Sequence, residues 1–152
     1  MNINDKIDDL LGLDADGNEV RLSDFPGKRI ALYFYPKDST SGCTAEACSM
    51  QNNLAALNGC NVQVIGVSVD SQESHRKFAA KYGLQFPLIA DTGHSLVERM
   101  GVWGEKSMYG RKYMGTLRTT FIIAPDGRIE RIFSPKEIKT KTHAEQILDS
   151  LK

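Results

Sequence analysis

The sequence predicts an α/β fold in which a central mixed sheet is flanked by helices. Three observations carry this expectation. Apolar runs of strand length alternate with stretches of helical spacing between Arg29 and Met100. The run Arg29–Tyr35 (RIALYFY) is apolar and aromatic after its first residue, the pattern of a strand buried on both faces. Two β-rich runs, Leu117–Ala124 and Arg128–Phe133, flank Pro125-Asp126-Gly127 and mark a hairpin.

The elements follow in order. Asp16-Gly17, between Leu11–Leu13 and Val20–Leu22, signals a first short hairpin. The central strand Arg29–Tyr35 is bounded by Pro26-Gly27 and Pro36. Ser39-Thr40-Ser41-Gly42 then supplies turn and capping residues. From Thr44 to Leu57 the spacing turns helical, with Ala47, Met50, Leu54 and Leu57 three and four apart. Val62–Val69 is a second strand, and Gln72–Tyr82 a helix that Gly83 ends. Phe86–Ala90 is a short strand and Ser95–Met100 a short helix. After the hairpin, Thr142–Leu151 is a closing helix with Ile147, Leu148 and Leu151 as its apolar stripe. The early alternation predicts parallel strands joined by crossovers, and the hairpin adds antiparallel strands to the same sheet. That layout is thioredoxin-like, expected as a single domain over residues 1–152.

Composition narrows the function. Lys+Arg and Asp+Glu both number 19, so the chain has no net charge to draw nucleic acid or an anionic membrane. Lys136, Lys139 and Lys141 alternate with other residues and read as a solvated face. The acidic, polar stretch Met1–Leu13 lacks the basic and apolar regions of a signal peptide, and no run reaches the roughly 20 apolar residues of a spanning helix. A cytoplasmic location is expected. In that reducing compartment the three cysteines are not a disulfide scaffold; such cysteines are catalytic, metal-binding or buried.

The informative stretch runs from Tyr35 to Cys48. A buried strand ends, a turn follows, and Cys43 stands at the start of a helix. The unpaired N–H groups and partial positive charge of a helix start stabilise an anion such as a thiolate. An unperturbed thiol has a pKa of about 8.5, and lowering it by about two units takes roughly 2.7 kcal/mol. A helix terminus supplies up to about 2 kcal/mol, so a second cation is expected, and Arg118 is the candidate. Cys48 lies five residues on, about 8–9 Å away at Cα in an intact helix. A disulfide needs that distance to be under about 7 Å. The pair can bond only if the helix unwinds locally.

Other chemistries fit less well. A Cys-His hydrolase needs a base, but His75, His94 and His143 sit on or beside distant helices and read as surface residues. A disulfide exchanger usually carries Cys-x-x-Cys, a shorter spacing than here. Zinc prefers four ligands, and only two cysteines cluster, without a nearby His. No phosphate-cradling glycine motif appears, so no nucleotide cofactor is expected. Cys60, after Gly59, reads as structural or incidental.

These residues resemble the peroxiredoxins, specifically the bacterioferritin-comigratory or peroxiredoxin Q group. The shared pattern Pro-x-x-x-Thr-x-x-Cys falls on Pro36, Thr40 and Cys43, and the group's second cysteine falls on Cys48. Trp103-Gly104-Glu105-Lys106 and Arg118-Thr119-Thr120-Phe121 extend the likeness, which runs from about Asp14 to the C-terminus. Ser41 departs from the proline that members often carry there, which bears on loop stiffness. The resemblance implies a thiol peroxidase in which Cys43 attacks the peroxide and Cys48 resolves its sulfenic acid to a disulfide. It implies that Thr40 and Arg118 bind the thiolate and peroxide oxygens, that Pro36 shields them from water, and that Glu46 orients the arginine. It further implies a hydroperoxide substrate, thioredoxin or a similar dithiol as reductant, no cofactor or metal, and a monomer.

Overall fold

The computed structural model describes residues 1–152. A short antiparallel hairpin comes first, β1 (Leu10–Leu13) with β2 (Glu19–Arg21). The Asp14 carboxylate closes its turn by accepting the N–H groups of Asp16 and Asn18 at 2.9 Å each. β3 (Arg29–Phe34) follows, then α1 (Ser41–Asn52) and α2 (Leu54–Gly59). β4 (Val62–Ser68), α3 (Gln72–Tyr82), β5 (Leu88–Ala90) and α4 (Ser95–Arg99) complete the alternating part. β6 (Trp103–Met108) pairs with β7 (Arg111–Thr116) as a separate two-stranded ribbon. β8 (Thr119–Ile123), β9 (Ile129–Phe133) and α5 (His143–Ser150) end the chain.

The main sheet has the order β5-β4-β3-β8-β9. β3, β4 and β5 are parallel, and β8 and β9 join antiparallel, as the sequence pattern predicts. Alternate residues of β3, continued by Tyr35 just after it, divide between two cores. Ile30, Leu32 and Phe34 meet Ile65, Val67, Phe121 and α4 on one face. Ala31, Tyr33 and Tyr35 meet α1, α3 and α5 on the other. Gly66 of β4 lies beside Tyr33, and a Cβ there would sit 2.8 Å from the Leu88 side chain and 3.0 Å from the Tyr33 ring. The strand thus needs a glycine where that ring crosses it.

Three sequence expectations are corrected. The first long helix begins at Ser41, not Thr44, because Thr40 takes the extended N-cap conformation. It breaks at Asn53, whose side-chain amide donates to the Ser49 carbonyl at 2.9 Å and competes with the helical backbone. The β6–β7 ribbon was not expected: its strands are polar and mostly exposed, and its turn is Tyr109-Gly110, both residues at positive φ, rather than Asn-Gly.

Candidate active site

Cys43 is the third residue of α1, in the first turn, where helix N–H groups have no helical partner. Its side chain is 1% exposed, at the edge of the core that contains Tyr33, Ala47 and Met50. The antiparallel register sets Phe34 against Thr119, so the start of β8 lies beside the end of β3. This places Arg118 over the first turn of α1. Arg118 Nη2 lies 3.4 Å from Cys43 Sγ, and Nη1 lies 2.5 Å from Glu46 Oε1. Gly42 leaves the room: a Cβ at that position would be 3.3 Å from Nη2. The guanidinium fork thus spans the sulfur and a carboxylate one helical turn on.

The electrostatics follow from this packing. Burial opposes the Arg118 charge, but the adjacent Glu46 and Cys43 overcome it and hold the guanidinium above its ordinary pKa. The Glu46 carboxyl is fully buried, and burial lifts it to about 7 against the pull of Arg118. Its Oε2 and the Tyr33 hydroxyl are buried with no hydrogen-bond partner, each costing about 1–3 kcal/mol. Burial, then the charges of Glu46 and Cys43, keep Tyr33 well above its ordinary pKa, so it stays a neutral phenol.

The AhpC/TSA family profile matches residues 3–132. The chain belongs to this family. Peroxiredoxin Bcp of Escherichia coli K12 is 44% identical over 139 residues, 91% of this chain and 88% of that protein. Peroxiredoxin Bcp of Bacillus subtilis is 44% identical over 136 residues, 90% of this chain and 85% of that protein. A cysteine-to-serine mutant of Xylella fastidiosa PrxQ superposes with a TM-score of 0.89 at 37% identity, over 99% of this chain and 95% of that one. The Xanthomonas campestris bacterioferritin comigratory protein, solved to explain its alkyl peroxide reduction, superposes at 0.83 with 33% identity over 97% of each chain. The thioredoxin-like fold and the Bcp/peroxiredoxin Q assignment therefore stand, and membership makes this chain a thiol peroxidase. No helix is long and apolar enough to cross a membrane.

Not every expected residue of the peroxiredoxin site meets Cys43. The Thr40 hydroxyl donates to the Lys37 carbonyl at 2.9 Å rather than to the sulfur. Pro36 is half-buried in the bend after β3. Cys48 is half-buried on α1, and both it and Cys43 are free thiols. Cys60 is exposed, in a surface depression beside α5. His75 and His143 are corrected outright: both are fully buried, not surface residues. His143 Nδ1 donates to Gln146 Oε1 at 2.9 Å, so Nε2 accepts the Thr120 hydroxyl at 2.8 Å. Burial holds this ring below its ordinary pKa. His75 bonds Asp38 and the Ile89 carbonyl. Neither ring bonds the sulfur, so neither serves as a hydrolase base.

Lys106 is a site cation that sequence reasoning quoted without a role. Its Nζ donates to the Thr116 carbonyl at 3.1 Å. Partial burial and Arg118 hold its ammonium below the ordinary pKa, while Cys43 pulls the other way. The ribbon thus carries a second positive charge toward the thiol.

Glu46 makes stability depend on pH. Its folded pKa of about 7 lies above the ordinary 4.5. Between those values the folded chain keeps a proton that the unfolded chain has lost. Stability therefore falls as pH rises through this window and levels off above it. The full shift corresponds to roughly 3 kcal/mol. In urea titrations, Glu46→Gln is expected to remove most of that fall. An unchanged slope in the variant would assign it to another group.

Proposed function

We propose that this thiol peroxidase reduces hydrogen peroxide and organic hydroperoxides through Cys43, with Cys48 as resolving cysteine. The observation that carries the reading is the Arg118 fork, 3.4 Å from Cys43 Sγ and tied to Glu46 on the same helix. The first-turn amides of α1 and the guanidinium place positive groups around the sulfur, which reacts as a thiolate. The thiolate attacks the outer peroxide oxygen; an S–O bond forms, the O–O bond breaks, and hydroxide or alkoxide departs and takes a proton. Arg118 has N–H groups beyond those facing Glu46 and Cys43, and these stabilise the departing oxygen. The hydroxyl proton of Thr40 is committed to Lys37, so its lone pairs serve as acceptor for the peroxide O–H. Pro36 excludes water from the attack.

The resulting sulfenic acid condenses with the Cys48 thiol, forming the disulfide and releasing water. A dithiol protein, thioredoxin or similar, reduces this bond and is itself oxidised. The chain works as a cytoplasmic monomer. Alkyl peroxide reduction by the Xanthomonas relative supports the organic substrates.

α1 is unbroken from Ser41 to Asn52, so the disulfide demands that its first turns open. Treating the reduced protein with one equivalent of peroxide should lower its mass by about 2 Da and join Cys43 to Cys48. Amide protection from Thr44 to Met50 should fall at the same time. A disulfide formed with full protection of that segment would exclude the unwinding step. Absence of any Cys43 oxidation would exclude the function.

A further inference from the structure

The loop that delivers Cys43 is anchored by a buried charged cluster. Asp38 lies between Pro36 and Thr40, the N-cap of α1. Its backbone N–H donates to Asp70 Oδ2 at 2.8 Å, and the same oxygen accepts the Ser68 hydroxyl at 2.7 Å. The Asp38 carboxylate accepts the Tyr35 hydroxyl at 2.6 Å, the Ser74 hydroxyl at 2.8 Å and His75 Nδ1–H at 2.6 Å. His75 is fully buried, and its Nε2 lies 2.9 Å from the Ile89 carbonyl.

The protonation of this pair follows from its partners. A carbonyl only accepts, so Nε2 carries a hydrogen. Burial raises the Asp38 carboxyl, but the hydrogen bonds from His75, Tyr35 and Ser74 and the His75 charge outweigh it and hold the group below its ordinary pKa. The His75 ring is thus held at both nitrogens, by Asp38 and by the Ile89 carbonyl. The ligand-type atoms of Asp38, Asp70 and His75 lie within 4.8 Å of one another, but His75 has no free nitrogen for a cation.

We propose that the Asp38–His75 pair positions Cys43 by fixing the Pro36–Thr40 loop against β4, β5 and α3. This rests on Cys43 being the nucleophile. The clamp touches neither sulfur nor peroxide, so His75 and Asp38 are positioning residues. It lies on the N-terminal side of Cys43, whereas the proposed unwinding toward Cys48 lies on the other. The clamp therefore governs the attack on peroxide, and the condensation step does not depend on it. It also gives α1 a fixed end from which to rewind after reduction.

Single-turnover kinetics separate the two steps. Cys43 oxidation and disulfide formation are followed by Trp103 fluorescence and by quenched intact-mass analysis. His75→Ala should slow Cys43 oxidation by at least about tenfold, the scale of a small misplacement of a reacting group. The disulfide step should stay within about twofold. Asp38→Asn should keep oxidation within about threefold of the unmodified chain, because its amide N–H can donate to a neutral His75 Nδ1 while Nε2–H keeps Ile89. His75→Ala oxidising at the unmodified rate, Asp38→Asn as slow as His75→Ala, or both steps slowed alike would each overturn the proposal. Should His75→Ala fail to fold by far-ultraviolet circular dichroism, Tyr35→Phe removes one bond to Asp38 and keeps the ring. It should slow the oxidation alone by about threefold, and an unchanged rate overturns the clamp. If the unmodified chain never oxidises Cys43, the nucleophile assignment fails instead, which tells the two apart.

Discussion

A Cys43→Ser chain is expected to consume no peroxide above the uncatalysed rate, and a Cys48→Ser chain to oxidise once rapidly without cycling. The first outcome follows from the chemistry of the nucleophile. A serine hydroxyl stays protonated beside Arg118, and no buried base bonds the position, since the His75 and His143 nitrogens are committed elsewhere. Steady turnover by Cys43→Ser would defeat the assignment. The second outcome isolates resolution. Arg118 and the first turn of α1 remain, so the first oxidation should proceed at nearly the unmodified rate. The sulfenic acid then has no internal thiol to meet. Intact mass should rise by about 16 Da, then by about 32 Da as excess peroxide carries the sulfur to sulfinic acid. Cys60 is exposed beside α5 rather than buried with Cys43, and should not substitute. A Cys48→Ser chain that still forms an internal disulfide would make Cys60 the resolving residue.

Local pattern reveals only part of such a site. Cys43 was legible from its place at a strand-to-helix junction, outside any apolar run, although the fold buries it at the edge of the core. The proposal for Cys48 rests on spacing and resemblance. Glu46 and Arg118 lie 72 residues apart in sequence, and only the antiparallel pairing of β3 with β8 brings them together. No helical or strand periodicity encodes that distance. His75 and His143 were misread for a related reason. A polar residue on a helix reads as exposed unless its buried partner is known, and Asp38 and Thr120 are 37 and 23 residues away. The β6–β7 ribbon escaped notice because exposed strands need no apolar alternation. Thr40 shows what a motif leaves open: its hydroxyl donates to the Lys37 carbonyl, so only its lone pairs remain for a peroxide.

Arg118→Ala is expected to slow Cys43 oxidation by about 10²–10³-fold, the usual cost of removing a preorganised donor to a developing oxyanion. It should also weaken the fold, because Glu46 stays fully buried without its cation. Breaking a buried ion pair costs about 3–5 kcal/mol when the orphaned charge persists. Glu46 has an escape, since burial already raises its carboxyl to about 7 and loss of Arg118 raises it further. The stability deficit of Arg118→Ala should therefore be large above neutral pH and shrink toward pH 5, where both chains hold a neutral Glu46. Adding Glu46→Gln removes the orphaned charge, so the double variant should recover stability at high pH. It should recover no activity, because the donor to the departing oxygen is still missing. Arg118→Lys tests the fork itself: an ammonium keeps the charge but cannot present paired, fixed N–H groups to Glu46 and Cys43 together. Its rate should fall between the two. A lysine variant as fast as the unmodified chain would show that charge alone serves, and that the 2.5 Å tie to Glu46 is dispensable for the chemistry.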